Sequence, residues 1–197
     1  IQYCVLDEAD EMLNMGFYED IKDILTHTPK SKNSWLFSAT MPPEVNTIAK
    51  KFMKKPIEIT VGTKNSSAKN IDHQYFIVAA RERYNALRAV VSMNTDLFGV
   101  VFCRTKIETQ KVAEKLIQDG YKAAAIHGDL SQNQRDIVMQ SFRKKRIQLL
   151  IATDVAARGI DVDDLTHVIN YSLPQSTETY VHRIGRNGRA GKKGIVN

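Results

Sequence analysis

Short apolar runs alternate along the chain with longer stretches whose apolar residues recur at helical spacing. The runs are Tyr3 to Leu6, Trp35 to Phe37, Ile57 to Val61, Tyr75 to Val78, Val100 to Cys103, Ala123 to Ile126, Leu149 to Ile151 and Val168 to Ile169. Brief, Val- and Ile-rich runs suit buried strands, whereas Ile107 to Gln118 and Ser131 to Arg143 show the three- and four-residue rhythm of a helix. Strands alternating with helices predict an α/β fold, a parallel sheet with helices on both faces. Ser131 is placed to accept from the first free amides of its helix, and Gly120 stands where the preceding helix should stop. Tyr75, Phe76 and Phe102 read as core residues, because the chain lacks the exposed aromatic pattern of a base-stacking sheet.

The polar stretch Gly62 to Asn70 interrupts this alternation and reads as a linker. The organisation expected is a first part, residues 1–62, a linker, 63–71, and a second part, 72–197. The second is long enough to bury a core of its own, while the first is marginal. Strands at 1–6, 34–38 and 57–61 would leave parallel edges open in the first part, and open edges invite a homodimer through it.

Bulk composition narrows the picture without deciding it. With 43% hydrophobic and 25% charged residues, the 197-residue chain is globular rather than disordered. Lys and Arg number 28 against 22 Asp and Glu, a net +6 that favours a polyanionic partner. No apolar run approaches the ~20 residues of a membrane span, and no leader precedes the first run, so a soluble cytoplasmic protein without a membrane partner is expected. Cys4 and Cys103 each sit inside an apolar run without metal-ligand spacing, and read as small buried hydrophobes.

Four clusters could carry chemistry. Asp7-Glu8-Ala9-Asp10 directly follows an apolar run, where strand ends of an open α/β sheet face the ligand crevice and carboxylates can hold hydrated Mg²⁺; alone, a solvated acidic turn fits as well. Ser38-Ala39-Thr40 by itself is better read as a helix cap before Pro42-Pro43. The stretch Ala152 to Asp161 mixes small residues with more charge than a structural loop needs. In His182-Arg183-Ile184-Gly185-Arg186-Asn187-Gly188-Arg189, helical spacing would set His182, Arg186 and Arg189 at i, i+4 and i+7 on one face, able to meet phosphate or carboxylate. Gly185 and Gly188 would each cost a helix about 1 kcal/mol, which argues for a purpose other than helix stability.

In this order the four clusters resemble motifs II, III, V and VI of the DEAD-box RNA helicases. Val101-Phe102-Cys103-Arg104-Thr105 resembles motif IV, and His127-Gly128-Asp129-Leu130-Ser131-Gln132 with Arg135 resembles the segment holding the family's Q-x-x-R element. The resemblance covers nearly the whole chain. It implies RecA-like folds: the C-terminal part of a first domain and a nearly complete second one. It implies ATP and Mg²⁺ as cofactors, with Asp7 holding the metal through its water shell and Glu8 orienting the attacking water. Asp10 would link to Ser38, Thr40 and His182 and couple hydrolysis to RNA. Arg186 and Arg189 would be arginine fingers, and Gly159 and Asp161 would approach the nucleotide. Arg104, Thr105, Gly128, Gln132, Arg135 and Thr153 would follow an RNA backbone without reading its sequence.

Two departures stand out. No G-x-x-x-x-G-K-[ST] loop occurs in these residues, so a polypeptide of this sequence alone is expected not to hydrolyse ATP. Asn187 stands where the family usually has Thr. A non-catalytic RNA-binding module and a DNA-directed helicase of the same superfamily remain as alternatives; Asp10 rather than His at the fourth position of motif II leans toward RNA.

Overall fold

The computed structural model describes residues 1–61, 71–158, 160, 162, 164–187 and 194–197. The chain forms two compact units, Ile1–Ser66 and Ser67–Asn197. Most of the expected linker lies outside the described residues; its last residue, Ile71, opens a strand.

In the first unit, β1 (Tyr3–Leu6) and β2 (Asn33–Leu36) pair in parallel, Tyr3 opposite Asn33 and Leu6 opposite Leu36. Side chains alternate between faces along a strand. Cys4, Leu6 and Leu36 therefore turn to a core with Ile21 and Leu25 of α2 (Tyr18–His27) and Ile48 of α3 (Pro43–Phe52). Tyr3, Val5 and Trp35 turn the other way and are exposed. A short α1 (Ala9–Asn14) follows β1 directly. The strand expected at 57–61 is not formed. Ile57, Ile59 and Val61 are 88%, 83% and 94% exposed, because an apolar run becomes a strand only where a neighbouring edge takes up its backbone groups.

The second unit holds a six-stranded sheet in the order β3-β8-β7-β4-β6-β5, with every neighbouring pair parallel. Its strands are β3 (Ile71–His73), β4 (Gly99–Phe102), β5 (Ala123–Ile126), β6 (Leu149–Ala152), β7 (His167–Ile169) and β8 (Gly194–Val196). All residues of β4 and β6 are buried, as a sheet covered on both sides requires. Val100, Phe102, Leu150, Ala152 and Val168 face one core with Phe142 of α6 (Gln132–Arg143), Ala156 of α7 (Asp154–Ala157) and Ile184 of α8 (Thr177–Ile184). Val101, Cys103, Leu149, Ile151 and Ile169 face the other, against Leu87 of α4 (Arg83–Met93) and Val112 and Leu116 of α5 (Lys106–Gln118). Burial, reinforced by the nearby Glu108 charge, pushes the Cys103 thiol up to about 12, whereas Cys4 is only half-buried.

Local signals hold where a turn or cap decides them. Ser131 and Gln134 form a reciprocal capping box at the start of α6. Gly120 ends α5 with φ at +87°, a conformation that costs a side-chain-bearing residue energy. The expectation for Tyr75 to Val78 is overturned: the edge strand is Ile71–His73, and its ladder against β8 ends with the Gln74 N–H on the Val196 carbonyl. Among the described residues, no strand pairs with the apolar run beyond. Tyr75 and Phe76 are thus 85% and 57% exposed rather than core, whereas Phe102 is buried as expected. Among the described residues no helix is long and apolar enough to cross a membrane.

His167 in the middle of the sheet makes stability depend on pH. It is buried, with Nδ1 2.8 Å from Thr166 Oγ1, and burial holds its pKa below the ordinary 6.5. Between the lowered value and 6.5 the unfolded chain binds more protons than the native one, so unfolding free energy rises with pH there. This contribution is complete above 6.5 and is lost as pH falls through 6.5 toward the native value. Urea melts from neutral to mildly acid pH should show the loss, and His167→Gln should flatten that part of the profile. Parallel profiles for the two proteins would refute the assignment.

Candidate functional site

The acidic cluster sits where β1 runs into α1. Phe37 N–H donates to the Leu6 carbonyl and Ala9 N–H to the Phe37 carbonyl, at 2.8 and 3.0 Å, so the segment after β2 is laid beside the acidic turn. Asp10 is fully buried there. Its Oδ2 accepts from the Thr40 amide at 2.8 Å and the Thr40 hydroxyl at 2.6 Å, and its own N–H donates to Ser38 Oγ at 3.1 Å. A carboxylate taken out of water needs such charge-assisted partners. The helix-cap reading of Ser38-Ala39-Thr40 is therefore wrong: α3 starts after Pro42 without a side-chain cap, and the hydroxyls serve Asp10 instead.

Asp7, exposed at the strand end, accepts from the Glu8 N–H at 3.0 Å. Glu8 is half-buried and adopts left-handed backbone angles, φ 51° and ψ 45°, at the N-cap of α1. An acyclic side chain held in that region marks local strain, which concentrates at functional sites.

In the second unit, the three neighbouring strands β4, β6 and β5 all carry sequence-predicted site residues at their carboxyl ends. Arg104 and Thr105 follow β4, Gly128 follows β5, Thr153 follows β6, and Gln132 and Arg135 lie on the first turn of α6. The six residues expected to meet RNA thus share one rim. Thr105 and Thr153 each accept an amide from the third residue on, Glu108 and Ala156, at 3.1 and 3.3 Å. A capping hydroxyl that accepts an N–H keeps its own hydrogen available for an anion. The N-termini of α5 and α6 add positive dipole ends. Lys106 bridges to Asp129 at 2.8 Å, Gln132 Nε2 donates to Asp136 at 2.7 Å, and Arg135 Nη2 reaches the Ala156 carbonyl at 3.5 Å. Glu108 accepts from the Arg104 N–H and the Ser172 hydroxyl at 2.9 and 2.7 Å, tying the ends of β4 and β7 together.

The arginine cluster is arranged differently from the helical face expected. α8 stops at Ile184 with Gly185 as its C-cap, so Arg186 lies beyond the helix and shares no continuous helical face with the half-buried His182. Arg186 Nη1 instead donates to the Ile160 carbonyl at 3.3 Å, which brings it beside the segment expected to approach a nucleotide. Gly159, Asp161 and Arg189 lie outside the described residues.

A further arginine went unassigned in the sequence. Arg183 is buried, with side-chain exposure of 3%, and grips Asp154 through Nε at 2.6 Å and Nη2 at 2.9 Å. Its Nη1 donates to Asn170 Oδ1 at 2.9 Å and to the Ser172 carbonyl at 2.7 Å, and its guanidinium lies 4.9 Å from the Phe102 ring centre. The available signal was an Arg next to Ile184 and three residues after Tyr180 on the helix, together with an Asp placed directly after Thr153.

Residues 82–191 match the model of the helicase conserved C-terminal domain, and residues 1–48 that of the DEAD/DEAH box helicases. The chain belongs to the DEAD-box helicase family. Among its relatives, the DEAD-box ATP-dependent RNA helicase CshA of Geobacillus kaustophilus is 48% identical over 192 residues, which is 98% of this chain and 41% of that protein. CshA of Bacillus subtilis is 46% identical over the same length, covering 39% of its own sequence. This DEAD-box chain therefore spans about two fifths of the curated relatives it matches. Among solved structures, a DEAD box protein from Methanococcus jannaschii is 49% identical with a TM-score of 0.60, over all of this chain and 53% of that one. Saccharomyces cerevisiae Dbp5 bound to RNA and ADP BeF3 is 32% identical with a TM-score of 0.87, over all of this chain and 52% of that one. The parallel sheet with flanking helices is the RecA-like fold of these helicase domains.

Proposed function

We propose that this chain supplies the water-activating carboxylates and much of the RNA grip of an ATP-dependent RNA helicase. The observation that carries the reading is the shared rim at the carboxyl ends of β4, β6 and β5, where Arg104, Thr105, Gly128, Gln132, Arg135 and Thr153 come together. Capped helix starts and cations suit phosphate oxygens, which repeat along any RNA irrespective of sequence. The hydroxyls and Gly128 allow the close approach that a 2′-OH contact needs, which would favour RNA over DNA.

The exposed Asp7 carboxylate at a parallel strand end fits a hydrated Mg²⁺, since that ion is usually held by one or two carboxylates with water and substrate phosphate completing its shell. Bound there, the ion would offset charge on the phosphates. Glu8 would hold the attacking water and accept its proton. Asp10, fixed by Thr40 and Ser38, keeps the turn in register, and its link to His182 would pass the RNA-bound state to the hydrolytic residues. Arg186 and Arg189 would meet charge that develops on the transferred phosphoryl group, with Gly159 and Asp161 against the nucleotide.

The 197 residues contain no G-x-x-x-x-G-K-[ST] loop. The isolated chain is expected to bind single-stranded RNA weakly and to turn over no ATP. Fluorescence anisotropy with a labelled RNA should show affinity falling with salt, at a log–log slope of about −0.7 per phosphate neutralised. Arg135→Ala should reduce that slope by about one contact's worth. Equal binding of a DNA strand of the same sequence, or RNA-stimulated ATP turnover by the isolated chain, would overturn the reading.

A further inference from the structure

The turn bearing Arg186 is fastened on both sides. Three residues before it, Arg183 is anchored to Asp154, Asn170 and Ser172. Immediately after it, Asn187 is 3% exposed, and its Nδ2 donates to the carbonyls of Thr166 and Ile195, each at 3.0 Å. Thr166 leads into β7 and Ile195 lies in β8, and the Ile195 N–H also donates to the Thr166 carbonyl at 3.0 Å. The amide thus straddles the seam between two neighbouring strands. The backbone N–H of Asn187 closes the turn onto the Ile184 carbonyl at 2.9 Å.

Gly194 shows how closely that amide is seated. A Cβ at Gly194 would lie 2.4 Å from both Cγ and Oδ1 of Asn187, nearer than any side chain tolerates. The two positions are therefore matched: the strand must be bare where the amide enters. An amide nitrogen carries two hydrogens and serves two carbonyls at once. Thr, the usual family residue here, has one hydroxyl hydrogen and can serve one. Asp keeps the shape and has none, turning two attractive contacts into two repulsive ones.

We propose that Asn187 is a positioning residue that clamps the arginine-bearing turn to the β7–β8 seam and so fixes where Arg186 delivers its guanidinium. The proposal rests on the reading of Arg186 as a phosphate-contacting arginine. Its test uses the full-length protein carrying this chain, in a double-mutant cycle of RNA-stimulated ATP turnover, followed with radiolabelled ATP so that residual rates stay readable. Asn187→Asp should lower kcat roughly tenfold, in line with what small misplacements of a reacting group cost, and leave KM for ATP and the RNA affinity within about twofold. In an Arg186→Ala background, Asn187→Asp should cost nothing more, because its effect runs through that arginine. A purely structural role would multiply the two losses, and that result overturns the proposal, as does an unchanged kcat for Asn187→Asp alone. If Arg186→Ala itself retains wild-type kcat, the phosphate-contacting reading falls and the proposal with it. Should Asn187→Asp fail to fold, Asn187→Thr takes its place in the same cycle, with a loss of roughly threefold expected from one missing hydrogen bond and the same rule deciding the outcome.

Discussion

Replacing Arg183 by Ala should cost the second unit about 3–5 kcal/mol, a large share of the ~5–15 kcal/mol that separates folded from unfolded domains. The guanidinium holds a bidentate bond to Asp154 and bonds to Asn170 and the Ser172 carbonyl, and it lies against Phe102. Truncation strands four acceptor atoms and opens space beside a ring at the core. Asp154→Asn should cost less, since the amide keeps one oxygen for the guanidinium, which also retains its bonds to Asn170 and the Ser172 carbonyl. Arg183→Met refills the volume but leaves the carboxylate, so pairing it with Asp154→Leu should recover much of the loss, as apolar replacement of a buried ion pair usually does. Urea unfolding of the single and double variants measures each cost. A loss under about 1 kcal/mol for Arg183→Ala would mean the pair behaves as a surface ion pair, against the burial seen.

This pair also ties two segments together. Asp154 directly follows Thr153 on the rim, and Arg183 sits next to His182 and three residues before Arg186. One ion pair, its arginine buried, therefore joins the rim at Thr153 to the turn that bears Arg186.

The parts of the fold legible in the sequence are those in which burial alone decides. β4 and β6 are unbroken apolar runs, and a strand covered on both faces has to be one. Ser131 and Gly120 could be read because a cap and a left-handed turn demand particular residue types locally. Ile57–Val61 and Tyr75–Val78 also read as strands, but among the described residues no edge pairs with them, and whether an edge exists is not a local property. The Asp10 network was legible only through family resemblance, since Ser38 and Thr40 lie 28 and 30 residues away and no spacing rule joins them. The arginine face failed for a definite reason: the i, i+4, i+7 geometry assumed a helix running through Gly185, and the helix stops there. That same stop frees Arg186 to bond at Ile160 and lets Asn187 reach the sheet.

Glu8 offers a sharper separation of chemistry from stability. Its left-handed backbone is enforced from both directions, by the β1–β2 ladder before it and by the Ala9 and Asp10 bonds to Phe37, Ser38 and Thr40 after it. Such a conformation costs a residue with a Cβ about 1–2 kcal/mol, and Gly adopts it freely. In the full-length protein, Glu8→Gln should lower RNA-stimulated kcat by ~10²–10⁴-fold, because an amide cannot take the proton of an attacking water. Glu8→Gly should lose turnover to the same extent and yet resist urea as well as the wild type or better, by up to about 1 kcal/mol, through relief of the backbone. A carboxylate kept only as a helix cap would give the opposite pattern, with turnover retained and stability reduced. If Glu8→Gly unfolds earlier than the wild type and still hydrolyses ATP, the strain at this strand end has a structural origin and the water-activating role must pass to another group.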